Sequence, residues 1–388
     1  MSEPINFRVP QFNQPVDKII DSISGEVIGP TVSLCHTCHT HIPAYTYHKD
    51  GQLWMAKSCK IHGITHHMLE RDYEFWNKQH YTVKKFSFTF RNILTEITDR
   101  CNLDCPHCYH LPDNKVIDEP IDDIIARIAG WELDDVDINF AGAEPTLRKD
   151  FPKLLSEVKK RWPRYSLGSL TNGIRFADRE WVDECHEAGL DNLILGLNHP
   201  SYLNNETVRT KQFKAIDNCT EAGIWVYSIG YTMSSISELH DILQEITTQY
   251  WRPNHFRIRY GVDIGRYPDQ EKMFASDTYK EIKKWCETNN VSFKDEEGDN
   301  NLHHTMVNVG GKSIRIIQWC DETDINMEEL RTGPYCDFTT DGLTNFLHQV
   351  IRRDVSKNQG IVLPDSVPER YLMKNQYDST PLDFRDLR

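Results

Sequence analysis

The sequence contains three cysteines within eight residues, Cys101, Cys105 and Cys108. Cysteine binds metals as the thiolate, and three thiolates can ligate three irons of a four-iron cluster. The last iron then stays open to a non-protein ligand, whereas four cysteines close every iron in a ferredoxin. The spacing predicts a [4Fe-4S] cluster with one open iron; a zinc loop or three unrelated thiols are the alternatives.

A second group of metal-binding residue types precedes the first. Cys35 and Cys38 form one pair, and Cys59 and His62 form another after 20 intervening residues. Two such pairs match a tetrahedral site that binds zinc or a single iron. The intervening segment reads as a hairpin around residues 49–51. Because all four ligand positions would be filled, the predicted role of this knuckle is structural.

From about residue 89 the chain alternates between strand-like and helix-like stretches. The predicted strands are 92–98, 135–142, 165–172, 191–198, 224–233 and 255–262, and the predicted helices are 122–131, 150–162, 179–189, 211–223 and 236–251. The strands are short and mostly apolar, which is typical of a parallel sheet buried on both faces. One further strand is predicted at 313–319, so the pattern indicates an α/β fold built as a partial (βα)6 TIM-type barrel.

Polar motifs follow the predicted strands in chain order. The cysteine loop comes after the first strand, Gly142-Ala143-Glu144-Pro145 after the second, Thr171-Asn172-Gly173 after the third, and Asn198 ends the fourth. The carboxyl ends of parallel barrel strands open on one face, where such folds carry their active sites. These residues should therefore surround one cavity.

Together these motifs resemble the radical S-adenosylmethionine (SAM) superfamily over roughly residues 92–265. The resemblance implies that SAM chelates the open iron and is cleaved to a 5′-deoxyadenosyl radical. It implies that Gly142, Ala143, Glu144 and Pro145 bind the SAM amino group, although Ala143 replaces a glycine of the family motif. Thr171, Asn172 and Asn198 would contact SAM, and His107 would pack on its adenine.

The knuckle ahead of this core resembles one subgroup, which includes the archaeal tetraether-lipid synthases and the methanopterin-biosynthesis methylases. Those proteins carry additional cluster-binding cysteines. In this chain the remaining five are scattered, at Cys185, Cys219, Cys286, Cys320 and Cys336. Their scatter argues against methyl transfer and multi-cluster chemistry.

Three regions are expected: residues 1–88 with the knuckle at 34–66, the barrel at 89–268, and an extension at 269–388 that covers the barrel. In the extension, Cys320 and Cys336 each stand beside an aromatic residue. They fit buried thiols, ligands of an auxiliary cluster, or donors of a hydrogen atom to a substrate radical. Tyr335 is a further candidate donor.

Composition narrows the range of partners. Lys plus Arg total 44 against 58 Asp plus Glu, a formal net charge of −14, which disfavours binding to nucleic-acid phosphates. No apolar run is long enough to span a membrane and no signal pattern opens the chain, so a cytoplasmic protein is expected.

The leading functional hypothesis is a radical SAM enzyme, an oxidoreductase or transferase, that abstracts hydrogen from an unactivated carbon of a small-molecule or lipid-like substrate. It would require a reductase such as flavodoxin or ferredoxin. The alternatives are a peptide-modifying maturase and, from another class, an iron–sulfur electron carrier or scaffold. A carrier has no use for the motifs after the second and third strands.

Overall fold

The described residues fold around two separate β-sheets. A computed structural model describes residues 17–34, 41–81, 92–105, 108, 112–129, 137–198, 206–250, 253–260, 273–296 and 304–317. The expected region boundaries near residues 88 and 268 lie outside these residues, so the division into three regions stays a prediction. No helix in the described ranges has the length and apolar character needed to cross a bilayer.

The first sheet is antiparallel, and its four strands pair in chain order. They are β1 (Glu26–Leu34), β2 (His41–Lys49), β3 (Gln52–Cys59) and β4 (Gly63–Glu70), flanked by α1 (Asp17–Asp21) and α2 (Tyr73–Tyr81). The turn between β2 and β3 falls where the sequence predicts it. Asp50 and Gly51 have φ of 51° and 76°, the left-handed conformations of a tight hairpin turn. This sheet carries the second half of the knuckle.

The second sheet contains the predicted barrel strands in chain order. These are β5 (Asn92–Glu96), β6 (Asp137–Ala141), β7 (Ser166–Thr171), β8 (Asn192–Asn198), β9 (Trp225–Met233) and β10 (His255–Tyr260). Each is parallel to its neighbour. Beyond β10, β13 (Lys312–Ile317) is also parallel, and the antiparallel strands β12 (His304–Val309) and β11 (Phe293–Asp295) form the far edge.

Helices follow the strands and cover one face of this sheet. They are α3 (Ile121–Ala129), α4 (Phe151–Arg161), α5 (Arg179–Glu187), α6 (Glu206–Ala222), α7 (Glu238–Gln249) and α8 (Ala275–Asn289). Alternate strand residues, such as Phe140, Leu195 and Ile258, are buried with helix residues such as Leu155 in the main core. Their neighbours along each strand point to the other, inner face. The predicted fold class is confirmed, and β11, β12 and α8 are additional elements.

Candidate functional site

Two loops meet at the carboxyl end of the sheet through backbone hydrogen bonds. After β6, Ala143 N donates to Thr98 O and Glu144 N donates to Arg100 O, each at 2.9 Å. The loop after β6 is therefore fastened to the segment that enters the cysteine loop. The structure thus brings together the first two predicted motifs.

Gly142 makes this close approach possible. Its φ is +124°, and a Cβ at this position would lie 2.2 Å from Thr98 O. Any other residue would be strained at this φ, and its Cβ would collide with the backbone of Thr98, which follows β5. The glycine that opens the tetrapeptide is therefore required by packing between two loops of the protein.

The Glu144 carboxylate is fully buried and accepts hydrogen bonds from both neighbouring loops. Oε1 accepts from Thr146 N (3.1 Å), Thr146 Oγ1 (2.5 Å) and Thr171 Oγ1 (2.7 Å), and Oε2 accepts from Asn172 N (2.7 Å). Burial raises the pKa of Glu144, and these donors oppose that effect. The carboxylate thus joins the end of β6 to the end of β7, which the sequence did not predict.

Asn172 extends this network to the cysteine loop. Its Nδ2 donates to Asn102 Oδ1 at 2.8 Å, and its Oδ1 accepts from Ile174 N at 3.0 Å. On the other side, Gln212 Nε2 of α6 donates to Asn172 O at 3.0 Å. The residues after β5, β6 and β7 consequently form one connected edge. Asn198 ends β8 beside them in the sheet, and its side chain lies outside the described residues.

The cysteine loop provides the donor set that an open four-iron cluster needs. Cys101, Cys105 and Cys108 are each partly buried, and Leu103 N donates to Cys101 Sγ at 3.3 Å. Hydrogen bonds to sulfur and partial burial are two features through which proteins tune iron–sulfur clusters. Burial raises the pKa of Cys101 to about 11, and a bound iron would supply positive charge that stabilises the thiolate form.

In the described ranges, no three Cys, His, Asp or Glu side chains stand at metal-ligating distances from one another. The fit to a cluster therefore rests on the three thiols and on the loop that carries them. His107, expected to pack on adenine, lies outside the described residues.

Charged residues that the sequence analysis missed hold this loop in place. Arg100 forms an ion pair with Asp118, which also accepts from Thr98 Oγ1 at 2.6 Å. Cys101 N donates to Asn114 Oδ1 at 3.0 Å. The fully buried Arg148 donates to Ile97 O, at 2.9 Å, and to Glu119 O, at 2.8 Å. Single charged residues form no sequence motif, so these contacts could be found only in the folded chain.

Of the four predicted knuckle ligands, the structure describes the second pair, Cys59 and His62. Cys59 ends β3, His62 lies in the following turn, and Cys59 Sγ is 3.5 Å from His62 Nδ1. Tetrahedral zinc, with bonds of roughly 2.3 Å to sulfur and 2.0–2.1 Å to nitrogen, places two such atoms about 3.6 Å apart. The two side chains therefore fit neighbouring corners of a zinc site. Cys35 and Cys38 lie outside the described residues.

Three other cysteines are packed in the main core. Cys185, Cys219 and Cys286 are buried on α5, α6 and α8, and burial raises the pKa of Cys219 to about 12 and that of Cys286 to about 11. They behave as small apolar residues. Cys320, Tyr335 and Cys336, the candidate hydrogen donors, lie outside the described residues.

Two family models match the chain. Residues 95–246 match the radical SAM superfamily, and residues 27–71 match the HMPTM N-terminal zinc ribbon domain. The chain contains a radical SAM domain. That domain runs from β5 to α7, and the family uses a [4Fe-4S] cluster and SAM. The ribbon match covers the antiparallel sheet and selects zinc from the two metals that the sequence left open.

Curated relatives of the radical SAM domain are enzymes. The chain is 27% identical over 227 residues to 7,8-dihydro-6-hydroxymethylpterin dimethyltransferase of Methanocaldococcus jannaschii, covering 50% of this chain and 44% of that protein. It is 29% identical over 168 residues to Fe-coproporphyrin III synthase of Methanosarcina barkeri, covering 39% and 41%. The matches thus span less than half the length of either relative. The resemblance to the radical SAM superfamily that the sequence motifs indicate is confirmed by the family model over residues 95–246.

Among solved structures, the chain is similar to Streptococcus suis SuiB bound to S-adenosylmethionine. The identity is 12%, the TM-score is 0.43, and the match covers 64% of this chain and 54% of that one. This likeness concerns the fold alone.

Proposed function

We propose that the chain reductively cleaves SAM and uses the resulting radical to abstract hydrogen from an unactivated carbon of a small-molecule substrate. When bound, a [4Fe-4S] cluster and SAM supply the electron and the 5′-deoxyadenosyl radical for this reaction. The observation that carries the proposal is the connected edge of the sheet. It joins the cysteine loop to the motifs after β6 and β7 through Glu144 and Asn172.

Each group at this edge has a proposed role. Cys101, Cys105 and Cys108 hold the cluster. Backbone groups of residues 142–145 and the Asn172 side chain line the SAM site, together with Asn198 at the end of β8. Glu144 holds the loops that carry these groups, because its carboxylate is fully buried among protein donors. Shielding from water protects a reactive radical from side reactions.

The direct test is SAM cleavage. Anaerobically reconstituted and chemically reduced protein should convert SAM to methionine and 5′-deoxyadenosine. The product should gain deuterium when a substrate deuterated at the reacting carbon is supplied. Protein that holds a full cluster but releases no 5′-deoxyadenosine would contradict the proposal and would favour an electron carrier or scaffold.

A small molecule is the proposed substrate class. The relative from Methanocaldococcus jannaschii is named for a reaction on a pterin, and residues 27–71 of this chain match the HMPTM N-terminal zinc ribbon domain. A protein electron donor such as flavodoxin or ferredoxin is the proposed physiological reductant. Replacing the chemical reductant with each carrier in the cleavage assay tests this partner.

Methylation of a pterin-like molecule is a second candidate function. Two matches favour it. Residues 27–71 match the HMPTM N-terminal zinc ribbon domain, and the chain is similar to a relative named as a pterin dimethyltransferase. SAM carrying a deuterated methyl group separates the two candidates. A product heavier by the labelled methyl group indicates methylation, whereas deuterium moving from substrate to 5′-deoxyadenosine without methyl gain indicates hydrogen abstraction alone.

A further inference from the structure

The inner face of the second sheet carries arginines on two neighbouring strands. Phe256 and Ile258 of β10 are in the helix-covered core, so Arg257 and Arg259 point to the opposite face. On β13, Ile314 and Ile316 are in the same core, which places Arg315 on the inner face as well. All three arginines are partly buried.

The register places these arginines beside the proposed SAM site. Arg259 is aligned with Thr232 of β9, which is aligned with Asn198 of β8. Arg259 Nε donates to Thr232 Oγ1 at 2.9 Å, which fixes the guanidinium. Neighbouring strands are about 4.8 Å apart, so two strand spacings, roughly 10 Å, separate the backbones at Asn198 and Arg259.

Next to Arg257, the inner face carries two glycines in succession, one on β9 and one on β8. Arg257 is aligned with Gly230, which is aligned with Gly196. The Arg257 guanidinium lies over Gly230, where a Cβ would be 3.4 Å from its nearest nitrogen. Among the described residues, only Thr171 O would lie within 4 Å of a Cβ at Gly196, at 3.7 Å. The two glycines therefore leave room for a ligand next to Arg257.

Arg257 and Arg315 are also aligned with each other on adjacent parallel strands. Side chains of aligned residues on neighbouring strands lie close enough together to contact one ligand. Among the described residues, three arginines thus share the part of the inner face that β10 and β13 form, in a chain with a formal charge of −14.

We infer that Arg257, Arg259 and Arg315 bind an oxyanion of the substrate, a phosphate or a carboxylate, and hold the substrate next to SAM. Planar guanidinium groups suit this role, because they donate two parallel hydrogen bonds to such anions. The inference rests on the proposed function and adds a chemical class to its substrate.

Calorimetric titration of the reconstituted holoenzyme with inorganic pyrophosphate, at low ionic strength and with saturating SAM, tests this inference. The variant Arg257→Gln/Arg315→Gln should bind pyrophosphate roughly ten- to hundredfold more weakly than wild type. The matched control is Arg161→Gln/Arg164→Gln, which removes the same charge from two exposed positions and should bind as wild type does. Arg257→Lys/Arg315→Lys keeps the charge and should show a smaller loss, and it replaces the glutamine variant if that one fails to fold.

A parallel titration with tricarballylate distinguishes the two anions: binding of pyrophosphate alone indicates a phosphate, and binding of tricarballylate alone indicates a carboxylate. The inference is wrong if wild type binds neither probe, if the control loses as much affinity as the glutamine variant, or if saturating SAM abolishes binding. SAM cleavage by the wild type is measured on the same samples. A lack of cleavage contradicts the proposed function, whereas a lack of anion binding contradicts only this inference.

Discussion

At the scale of single residues, Glu144 is the group on which the proposed site depends most. Each of its carboxylate oxygens faces a backbone N–H, from Thr146 on one side and Asn172 on the other. Backbone N–H groups cannot turn away, so Glu144→Gln leaves one of them facing an amide NH2 in either orientation. A buried donor without a partner costs about 1–3 kcal/mol.

We therefore expect Glu144→Gln to lower the melting temperature and raise the SAM dissociation constant by roughly ten- to hundredfold, while the cluster still assembles. Equilibrium binding and thermal melting measure the two effects. Glu180→Gln, at an exposed position on α5, is the matched control and should change neither. Unchanged stability with weakened SAM binding would show that Glu144 contacts SAM directly.

The cysteine loop allows a second prediction at this scale. Changing Cys101, Cys105 and Cys108 together to Ala should abolish iron and sulfide incorporation, because no other cysteine of the described core is placed to replace them. Cys286→Ala, in the α8 core, should leave the iron and sulfide content unaltered. Iron and sulfide analysis after anaerobic reconstitution gives the result. A full cluster in the triple variant would refute the assignment.

Much of the candidate site could be predicted from residue types and order alone. Thiols, a glycine and polar residues that follow successive strands must meet at one end of a parallel sheet. The sequence could not predict that the Glu144 carboxylate accepts its hydrogen bonds from protein groups. Two of these donors are backbone N–H groups, which every residue type other than proline carries. The sequence likewise carries no sign of Arg148, which acts on carbonyl groups far away in the chain.

At the scale of elements, Glu70 connects the zinc ribbon to α8. Its buried carboxylate accepts from Ser276 Oγ at 2.6 Å and from the backbone of Arg71 and Asp72 at 2.6 and 3.2 Å. Ser276 lies in the first turn of α8, where the helix dipole favours a negative charge. One carboxylate thus joins the end of β4 to the start of a helix that covers the barrel.

Glu70→Ala should therefore weaken the coupling between ribbon and barrel. We expect a loss of about 1–3 kcal/mol in the free energy of unfolding, because Ser276 and two backbone N–H groups lose their acceptor. Chemical denaturation measures this loss. Lys280→Ala, which removes an exposed ion pair with Asp72, is the control and should cost about 0.2–1 kcal/mol. Equal losses in the two variants would refute the role of Glu70.

Sequence patterns predicted the strands of the barrel better than its far edge. Strands buried on both faces are short apolar runs, and all six were found with shifted ends. The helix α8 was not predicted, because Ser276 and Thr278 occupy the buried face of its first turns and the apolar spacing of Ile282, Trp285 and Cys286 is confined to its second half. Likewise, β12 lies next to the edge strand β11 and has a polar residue on each face, Thr305 among the buried positions and Asn308 among the partly buried ones, so its six residues show no clear apolar alternation.

At the scale of the whole molecule, charge is distributed unevenly. The formal net charge is −14, yet three arginines share the inner face of the barrel near its carboxyl end. The inferred oxyanion site would accept a small anion in a chain whose overall charge repels acidic surfaces. The net charge disfavours binding to the phosphates of nucleic acids, but it does not reveal the arginines on the inner face of the barrel.

The two sheets also differ in what stabilises them, and metal removal should reveal this. The ribbon has small hydrophobic clusters around Leu53 and Tyr47, whereas the barrel has an extensive core.

A structural zinc contributes folding free energy directly, so Cys59→Ala should lose the metal and unfold the ribbon at a lower temperature. The cluster and the SAM site belong to the other sheet. We therefore expect calorimetry to show an early ribbon transition and a barrel transition that remains, with part of the SAM cleavage retained. Complete loss of the cluster in Cys59→Ala, or one unshifted transition in metal-free protein, would show that the two sheets do not depend on the zinc site in this way.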